Sequence, residues 1–508
     1  MAFTDHSDPH HDASQTDSSP TDKPAPSSEG VDRRAFLKRT ALSSAALSMG
    51  LWSGDGAPAN AAPRPRADVQ GDARNVIFLV VDGMSQGTLT MTDQLLQRHH
   101  DRTSHWVDLY REQAYDTQAF MDMAPLNSLV TGSAAAASSW GCGHRINNTM
   151  LNMDPDENPY RTICQIFRDA GKANGLVSTA RITHATPAGF GINMAGRWME
   201  DDIAEQYLER EYDLLMGGGT RHFTAEGRED NQDLLAGFRD AGYRVVRDRG
   251  DLNALADAEK GLGLFYDSHL PYEIDRRNID RLATTVPTLS EMTETALERL
   301  NRHEEGFLLQ VEAGRVDHGA HSNDTVGMLY DQIAFDDTIA AVLNFVADRD
   351  DTLLIITTDH GNANPGLNAI GDRYEDSPGM FDRIANFQRS NEWIFRELDE
   401  ESTIDEIQER VAFACNLDIG TDEATTLQQA LKGEFEAVYD PRSSASAVLS
   451  ALQANYTAVN WIGSMHTSDY VPLIAIGPGS DTLGSFVRNT ELFDLMVDTA
   501  GVRAHAEG

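Results

Sequence analysis

Several apolar runs of this chain end in residues of metal-binding types, which limits the folds that the chain can adopt. The clearest is the run at 306–310, followed by VEAGRVDHGAH at 311–321, where Glu312, Asp317 and His321 come directly after a predicted buried strand. A buried polar group without a partner costs on the order of several kcal/mol, and a metal ion is one way to offset that cost. A solvated loop after a strand is the alternative for this segment alone.

Further apolar runs predict a sheet. The predicted strands are 75–81, 175–179, 306–311, 353–357 and 471–476, and the predicted helices are about 160–170, 290–302 and within 327–348. Strands that alternate with helices are typical of an α/β fold, here a large, mostly parallel central β-sheet flanked by helices on both faces. In such sheets ligands bind at the carboxyl ends of the strands.

Composition divides the chain into three parts. Residues 366–459 carry polar helical patterns, for example at 390–398 and 404–415, but no long apolar strand. We interpret them as a cap (crown-like) insertion over the site. The catalytic α/β domain is predicted to comprise residues 62–365 and 460–508, after an N-terminal polar region plus signal peptide at 1–61.

The residues at or just after strand ends form three potential metal sets. The full group is Asp82, Glu312, Asp317, His321, Asp359, His360 and His466. The predicted zinc sets are Asp317 with His321 and His466, and Asp82 with Asp359 and His360, while Glu312 shares Asp82 and a hydroxyl such as Thr186 for a harder ion. Two metals about 4 Å apart suit in-line phosphoryl displacement. Taken singly, each residue has an ordinary explanation as a turn or packing residue.

A candidate nucleophile is Ser133, in the small-residue run VTGSAAAA at 130–137. This run predicts a tightly packed helix that begins near the serine, where backbone N–H groups favour an anion. A neighbouring zinc ion lowers the pKa of a serine hydroxyl. The alternative is a serine that only caps an alanine-rich helix.

Several separated motifs now resemble one family, the metal-dependent alkaline phosphatases. The motifs are VDGM at 81–84, SAA at 133–135, ATP at 185–187 with Arg197 downstream, MGGGTRHF at 216–223, PTLSEMT at 287–293, QVEAGRVDHGAH at 310–321, TTDHG at 357–361 and MHTS at 465–468. The resemblance covers about 74–365 and 460–500.

The resemblance implies hydrolysis of small-molecule phosphate monoesters through a phosphoserine on Ser133. It implies two Zn²⁺ and one Mg²⁺: the first zinc on Asp317, His321 and His466, the second on Asp82, Asp359 and His360, and magnesium on Asp82, Thr186 and Glu312. Arg197 would grip two phosphate oxygens with its planar fork. The alternatives are a phosphodiesterase on the same fold and a non-catalytic phosphate- or metal-binding exported protein.

The chain departs from many relatives at three positions. Gly132 replaces an aspartate that holds the phosphate-binding arginine, so Arg197 is expected to be held less firmly. His184 and His318 replace the Asp and Lys of some bacterial relatives and are expected in a second layer around the metals. The identity of the third metal is therefore an open question at this point.

The charge balance excludes one class of partner. Asp and Glu total 80 against 41 Lys and Arg, for a formal net charge of -39. Nucleic acids are bound by basic surfaces, so no nucleic-acid partner is expected. Self-repulsion of this size is relieved by screening in molar salt, which predicts a halophilic protein; a merely acidic secreted protein is the alternative.

The N-terminal region predicts export. Arg33 and Arg34 precede an apolar run at 41–52 and a small-residue cleavage site at 59–61, the order of a twin-arginine signal peptide. We therefore expect a periplasmic or secreted enzyme with no membrane contact after cleavage. A homodimer is possible by analogy with the family. The three cysteines allow at most one internal disulfide, and Cys142 is interpreted as a core residue.

Overall fold

The computed structural model describes residues 72–506, which are built around one ten-stranded sheet. The strands along the chain are β1 (Asn75–Val81), β2 (Thr117–Asp122), β3 (Ala173–Arg181), β4 (Leu214–Gly218), β5 (Tyr243–Val246), β6 (Lys260–Leu264), β7 (Phe307–Ala313), β8 (Thr352–Thr358), β9 (Gly361–Asn362), β10 (Gly366–Leu367), β11 (Val459–Asn460), β12 (His466–Thr467), β13 (Val471–Ile476) and β14 (Phe486–Arg488). The sheet order is β14-β2-β13-β8-β1-β7-β3-β4-β6-β5, and only the pairs of β13 with β2 and with β8 are antiparallel. The predicted mostly parallel sheet is confirmed.

The central strand β1 is buried on both faces of the sheet. Alternate side chains enter two different cores: Val76, Phe78 and Val80 on one face, and Ile77, Leu79 and Val81 on the other. Successive strand residues point to opposite faces, so a strand covered on both sides needs a continuous apolar run. The NVIFLVV run meets this requirement.

Helices cover both faces, and those predicted from sequence are present with shifted ends. Their bounds are α1 (Gln86–His99), α2 (His105–Arg111), α3 (Ser133–Cys142), α4 (Ile163–Asp169), α5 (Ala185–Gly191), α6 (Glu200–Glu209), α7 (Leu234–Asp240), α8 (Glu273–Asn278), α9 (Asp280–Thr285), α10 (Leu289–Leu300), α11 (Arg315–His321), α12 (Thr325–Val346), α13 (Ser377–Phe381), α14 (Asn391–Phe395), α15 (Ile404–Cys415), α16 (Thr421–Leu431), α17 (Ala445–Thr457), α18 (Glu491–Thr499) and α19 (Arg503–Ala506). The helix predicted at about 160–170 begins later, because Thr162 and Gln165 form a capping box at its start.

Five strands of the main sheet are not singled out by the sequence pattern. They are β2, β4, β5, β6 and β14. Strands β4 and β6 read LLMGG and KGLGL, and β14 has only three residues. Glycine weakens both the apolar run and the strand propensity by which a strand is recognised. Pairing with neighbours in the sheet, which the local sequence does not contain, makes these segments strands.

Residues 366–459 form a mainly helical insertion, α13 to α17, whose two ends are joined by the antiparallel pair β10–β11. The insertion packs beside α11 and α12. The Asn391 N–H donates to Asp324 Oδ2 at 2.6 Å, and Arg315 on α11 forms an ion pair with Glu392 on α14 at 2.5 Å. The insertion therefore contacts the helix that carries Asp317 directly.

Two further predictions concern membranes and cysteines. None of the helices formed by residues 72–506 is both long enough and apolar enough to cross a bilayer. The predicted signal peptide at 1–61 lies outside the described residues. The three cysteines are free and buried, and burial raises the pKa of the Cys142 thiol to about 12, as befits a core residue rather than a reactive thiol.

Candidate metal centre

Three adjacent strands bring the buried carboxylates together. Strand β1 lies between β7 and β8, and all three run parallel, so their carboxyl ends meet at one edge of the sheet. Asp82 follows β1, Asp359 follows β8 and Glu312 lies near the end of β7; all three side chains are fully buried. The sheet order therefore accounts for the gathering of residues that are 230 or more positions from Asp82.

The first group combines Asp317, His321 and His466, with ligand atoms within 4.8 Å of one another. Asp317 and His321 lie one turn apart on α11, with Asp317 Oδ2 3.3 Å from His321 Nε2. His466 is the first residue of β12. This strand pairs with β9, which directly follows His360. The solvated-loop alternative for 311–321 is thus wrong, because the segment continues β7 and then forms α11.

In the neutral tautomers of His321 and His466, the lone pairs of the two Nε2 atoms face each other. His321 Nδ1 lies 2.7 Å from the Ser464 carbonyl, and His466 Nδ1 lies 2.8 Å from the Thr131 carbonyl. A carbonyl only accepts, so each neutral ring carries its proton on Nδ1, and the two Nε2 atoms are 2.9 Å apart. A cation must lie between them, either a metal ion or a proton on His321. Burial lowers the pKa of His321, but the neighbouring Asp317 carboxylate outweighs this effect and raises the pKa to about 9.

The second group combines Asp82, Asp359 and His360, all fully buried. His360 Nε2 lies 3.4 Å from Asp82 Oδ1 and 3.2 Å from Asp359 Oδ2. Ser133 Oγ is 3.4 Å from the same nitrogen. One imidazole nitrogen therefore faces two carboxylates and the candidate nucleophile.

A glycine makes this close approach possible. Gly83 has a φ of +72°, and a Cβ atom there would overlap the side chain of Asp317. Its N–H donates to Asp359 Oδ1 at 2.9 Å. The glycine of VDGM is therefore required both by backbone conformation and by the contact between the first and second groups.

The third group contains a residue that we predicted for the second layer. Asp82, His184 and Glu312 have ligand atoms within 4.8 Å of one another. Thr186, predicted here, is fully buried at the start of α5, with no hydrogen-bond partner for Oγ1 among the described residues. Ser178, which the sequence analysis missed, donates to Glu312 Oε2.

Helix packing sets the position of Ser133 relative to this third group. Helix α3 begins at Ser133 and packs against α5, which carries Thr186. A Cβ atom on Gly189 would lie 2.5 Å from that of Ala137, so the two helices approach through small residues only. The alanine-rich run after Ser133 is thus explained by close helix packing.

Arg197 is held by His184. The Arg197 guanidinium lies 2.7 Å from His184 Nε2, and its backbone N–H donates to the Thr149 carbonyl at 2.9 Å. Beside Ser133, the Gly132 N–H donates to the Asn148 side chain at 2.9 Å. Gly132 therefore offers Arg197 no side-chain partner, and Arg197 contacts His184 instead.

His318 lies in a layer behind His184, with ring centroids 5.4 Å apart. A third imidazole, His269, is 4.2 Å from His318 and was not predicted; a single histidine after β6 gives no sequence signal. Asn362 was also missed, although it directly follows TTDHG and donates to Asp317 Oδ1 at 2.6 Å.

The carboxylates of the second and third groups are held in an environment that requires positive charge. Burial, together with neighbouring carboxylates, raises the pKa of Asp82 well above its usual range, that of Glu312 to about 7 and that of Asp359 to about 8. The buried oxygen atoms that lack a hydrogen-bond partner among the described residues include both Asp82 carboxylate oxygens, Glu312 Oε1, Asp359 Oδ2 and Thr186 Oγ1. These oxygen atoms fit metal ions, which bind carboxylate and hydroxyl groups at once.

Comparisons with known proteins identify one family and several similar proteins. The family model for alkaline phosphatase matches residues 73–502. Alkaline phosphatase 3 of Bacillus subtilis (strain 168) is 30% identical over 471 residues, which cover 90% of this chain and 95% of that protein. Streptomycin-6-phosphate phosphatase of Streptomyces griseus is 32% identical over 335 residues, 57% of this chain and 74% of that protein. The crystal structure of Thermus thermophilus alkaline phosphatase is similar with a TM-score of 0.80 and 32% identity, covering 87% of this chain and 96% of that chain.

Proposed function

Because the chain belongs to the alkaline phosphatase family and is a phosphoric monoester hydrolase, we propose that it acts through a covalent phosphoserine on Ser133. The observation that carries this proposal is the position of Ser133 Oγ, 3.4 Å from His360 Nε2 at the first residue of α3. Acid trapping of the labelled phosphoenzyme, followed by peptide mapping, tests the assignment.

The proposed cofactors are two Zn²⁺ and one Mg²⁺. Asp317, His321 and His466 would hold one zinc ion, and Asp82, Asp359 and His360 the other. Asp82, Thr186 and Glu312 would hold magnesium, while the neighbouring His184 uses its Nε2 lone pair to accept from Arg197. A ligand set made of oxygen atoms favours magnesium over zinc, so metal analysis of the third site is the direct test.

In the proposed mechanism the Ser133 hydroxyl gives its proton to solvent hydroxide, and Oγ attacks phosphorus. The bond from phosphorus to the leaving oxygen breaks, and that oxygen takes a proton from water. Water then attacks the phosphoserine, which releases inorganic phosphate and restores the hydroxyl. When bound, the metal ions lower the pKa of hydroxyl and water and offset the charge of the phosphoryl oxygens. Arg197 would hold two non-bridging oxygens, which favours a dianionic monoester over a diester.

The comparisons favour this reading over both alternatives. The relatives are phosphatases, and the candidate ligands are present together. A phosphodiesterase would hydrolyse bis(p-nitrophenyl) phosphate faster than p-nitrophenyl phosphate. A non-catalytic protein would bind metals and hydrolyse neither.

We expect Gly132→Asp to bind phosphate more tightly, by about threefold to tenfold, because a carboxylate there adds a charge-assisted partner for Arg197. The site has room: a Cβ atom on Gly132 meets only Asn148, at 3.7 Å, and φ is -102°. The measurement is the inhibition constant of inorganic phosphate, with kcat recorded in parallel. Gly132→Asn has the same shape without the charge. Equal inhibition constants for both variants would contradict the charge argument.

We expect the melting temperature to rise by about 5 °C or more between about 0.1 M and 3 M KCl, because screening weakens repulsion in a chain of net charge -39. Activity should rise over the same range. Sucrose stabilises by exclusion from the surface without screening, so it serves as the control. If sucrose raises the melting temperature as strongly as KCl, or KCl leaves it flat, the acidic surface has another cause.

The export route is proposed from Arg33 and Arg34, which lie outside the described residues. Replacing both by lysine should leave the enzyme inside the cell, because the twin-arginine pair is the signal that this export route recognises. Unchanged export of Arg33→Lys, Arg34→Lys would contradict it. The proposed location is periplasmic or secreted, and a homodimer is proposed by analogy only.

A further inference from the structure

Five large apolar side chains that are more than half exposed lie on segments that are joined to the candidate metal centre. Their exposed fractions are 80% for Leu129, 69% for Trp198, 54% for Tyr439, 74% for Ile462 and 61% for Met465. We call these five residues the apolar collar. On a chain of net charge -39, exposed apolar side chains grouped at one place point to a binding role.

One hydrogen bond of the site joins the two segments that carry Leu129 and Met465. His466 Nδ1 donates to the Thr131 carbonyl at 2.8 Å. Met465 immediately precedes His466, and Leu129 lies two residues before Thr131. Both apolar side chains thus flank the segment that leads into Ser133.

Ile462 lies in the loop that precedes His466, and Tyr439 lies close to the same loop. The Ser464 carbonyl accepts from His321 Nδ1 at 2.7 Å, which ties the loop to the first group. A Cβ atom on Gly463 would be 3.8 Å from the Tyr439 ring, so the insertion reaches this loop. The insertion therefore supplies one member of the apolar collar.

Trp198 is the neighbour of Arg197, which contacts His184 of the third group. Its indole ring folds back along the chain: a Cβ atom on Gly196 would lie 2.5 Å from the ring. The ring thus remains exposed beside the residue proposed to grip phosphate.

We propose that the apolar collar binds the leaving group of the substrate, and that this enzyme prefers phosphate monoesters of apolar alcohols and phenols. The inference rests on the proposed site, in which the phosphate end faces the buried carboxylates and imidazoles. The ester oxygen then directs the rest of the substrate outward, past the apolar collar. A sugar or glycerol group gains nothing from contact with these side chains, whereas an alkyl chain loses water-exposed surface.

The test is a series of straight-chain alkyl phosphates from methyl to hexyl, whose leaving groups differ little in intrinsic reactivity. With the metal-loaded, purified mature chain at fixed salt, we expect kcat/KM to rise about twofold to fourfold per methylene, the value for partial to full burial of each group. The expected slope is lower in Trp198→Ala and Met465→Ala, while methyl phosphate is hydrolysed at nearly the wild-type rate. Phe486→Ala, which removes an aromatic ring that is 52% exposed on the edge strand β14, is the control.

Three outcomes would overturn the proposal. A flat wild-type series would show that the apolar collar does not contact the leaving group. A slope that survives both substitutions would place the apolar contact elsewhere. An equal loss for methyl and hexyl phosphate in Trp198→Ala would show that the indole ring only positions Arg197. The nucleophile is tested separately: a steep series without a trapped phosphoserine would reject Ser133 and leave the apolar collar standing.

Discussion

Ser133→Ala is expected to lower kcat/KM for p-nitrophenyl phosphate by about a thousandfold or more, because it removes the atom that we propose to accept the phosphoryl group. The serine hydroxyl lies 3.4 Å from His360 Nε2 and its side chain is buried, so the variant loses the oxygen atom that faces the second group. The measurement is initial-rate kinetics at alkaline pH in high salt, with metal content checked in each preparation.

Ser139→Ala is the matched control for this result. Ser139 lies on the same helix and is also buried, but its hydroxyl donates only to the Ala136 carbonyl of α3. Ser139→Ala should retain activity. In Ser133→Ala, no labelled phosphoserine should form. A trapped phosphoserine in that variant would mean that the nucleophile is another residue.

Removal of metals is expected to abolish activity and to make the protein less stable as pH rises. Burial raises the pKa of Glu312 to about 7 and that of Asp359 to about 8, so without metals the folded state holds protons that the unfolded chain releases above about pH 4. Folding then loses stability as pH rises from about 4 to 8. His321 acts in the same direction: its raised pKa of about 9 contributes stability that is complete below about 6.5 and lost as pH rises through 9.

The measurement is the melting temperature of chelated and reconstituted protein between about pH 7 and 9, because below about 6.5 the buried histidines whose pKa is lowered act in the opposite direction. The chelated form should fall by about 5 °C or more over this range relative to the loaded form, in which cations replace the protons. Asp331→Asn is a control. Burial also raises the pKa of Asp331, but this carboxylate accepts from the Glu273 N–H and belongs to none of the three groups. Parallel profiles for chelated and loaded protein would contradict the proposed ligands.

Local sequence was sufficient to predict the central strands and the helices with strong caps. The NVIFLVV run predicts β1 because a strand covered on both faces must be apolar throughout, and the capping box of Thr288 and Glu291 marks the start of α10. The edge and glycine-containing strands escaped prediction because their stability comes from pairing with β3, β13 and other distant segments.

The candidate site shows the same division. Asp82, Glu312 and Asp359 were identified because each ends or follows an apolar run, and carboxyl ends of parallel strands share one edge. His269 has no such context, and the position of His184 beside Asp82 and Glu312 depends on how α5 packs on α3.

The fold class, the family resemblance and the candidate ligands could be inferred from the sequence, because apolar periodicity and side-chain chemistry are local properties. Contacts in the folded chain set which ligands share a group, which nitrogen of His321 and His466 faces the centre, and which partner holds Arg197. They also bring Tyr439 of the insertion to the loop before His466. These facts depend on contacts between segments far apart in the chain, and such contacts are set by sheet order and helix packing rather than by any short stretch of residues.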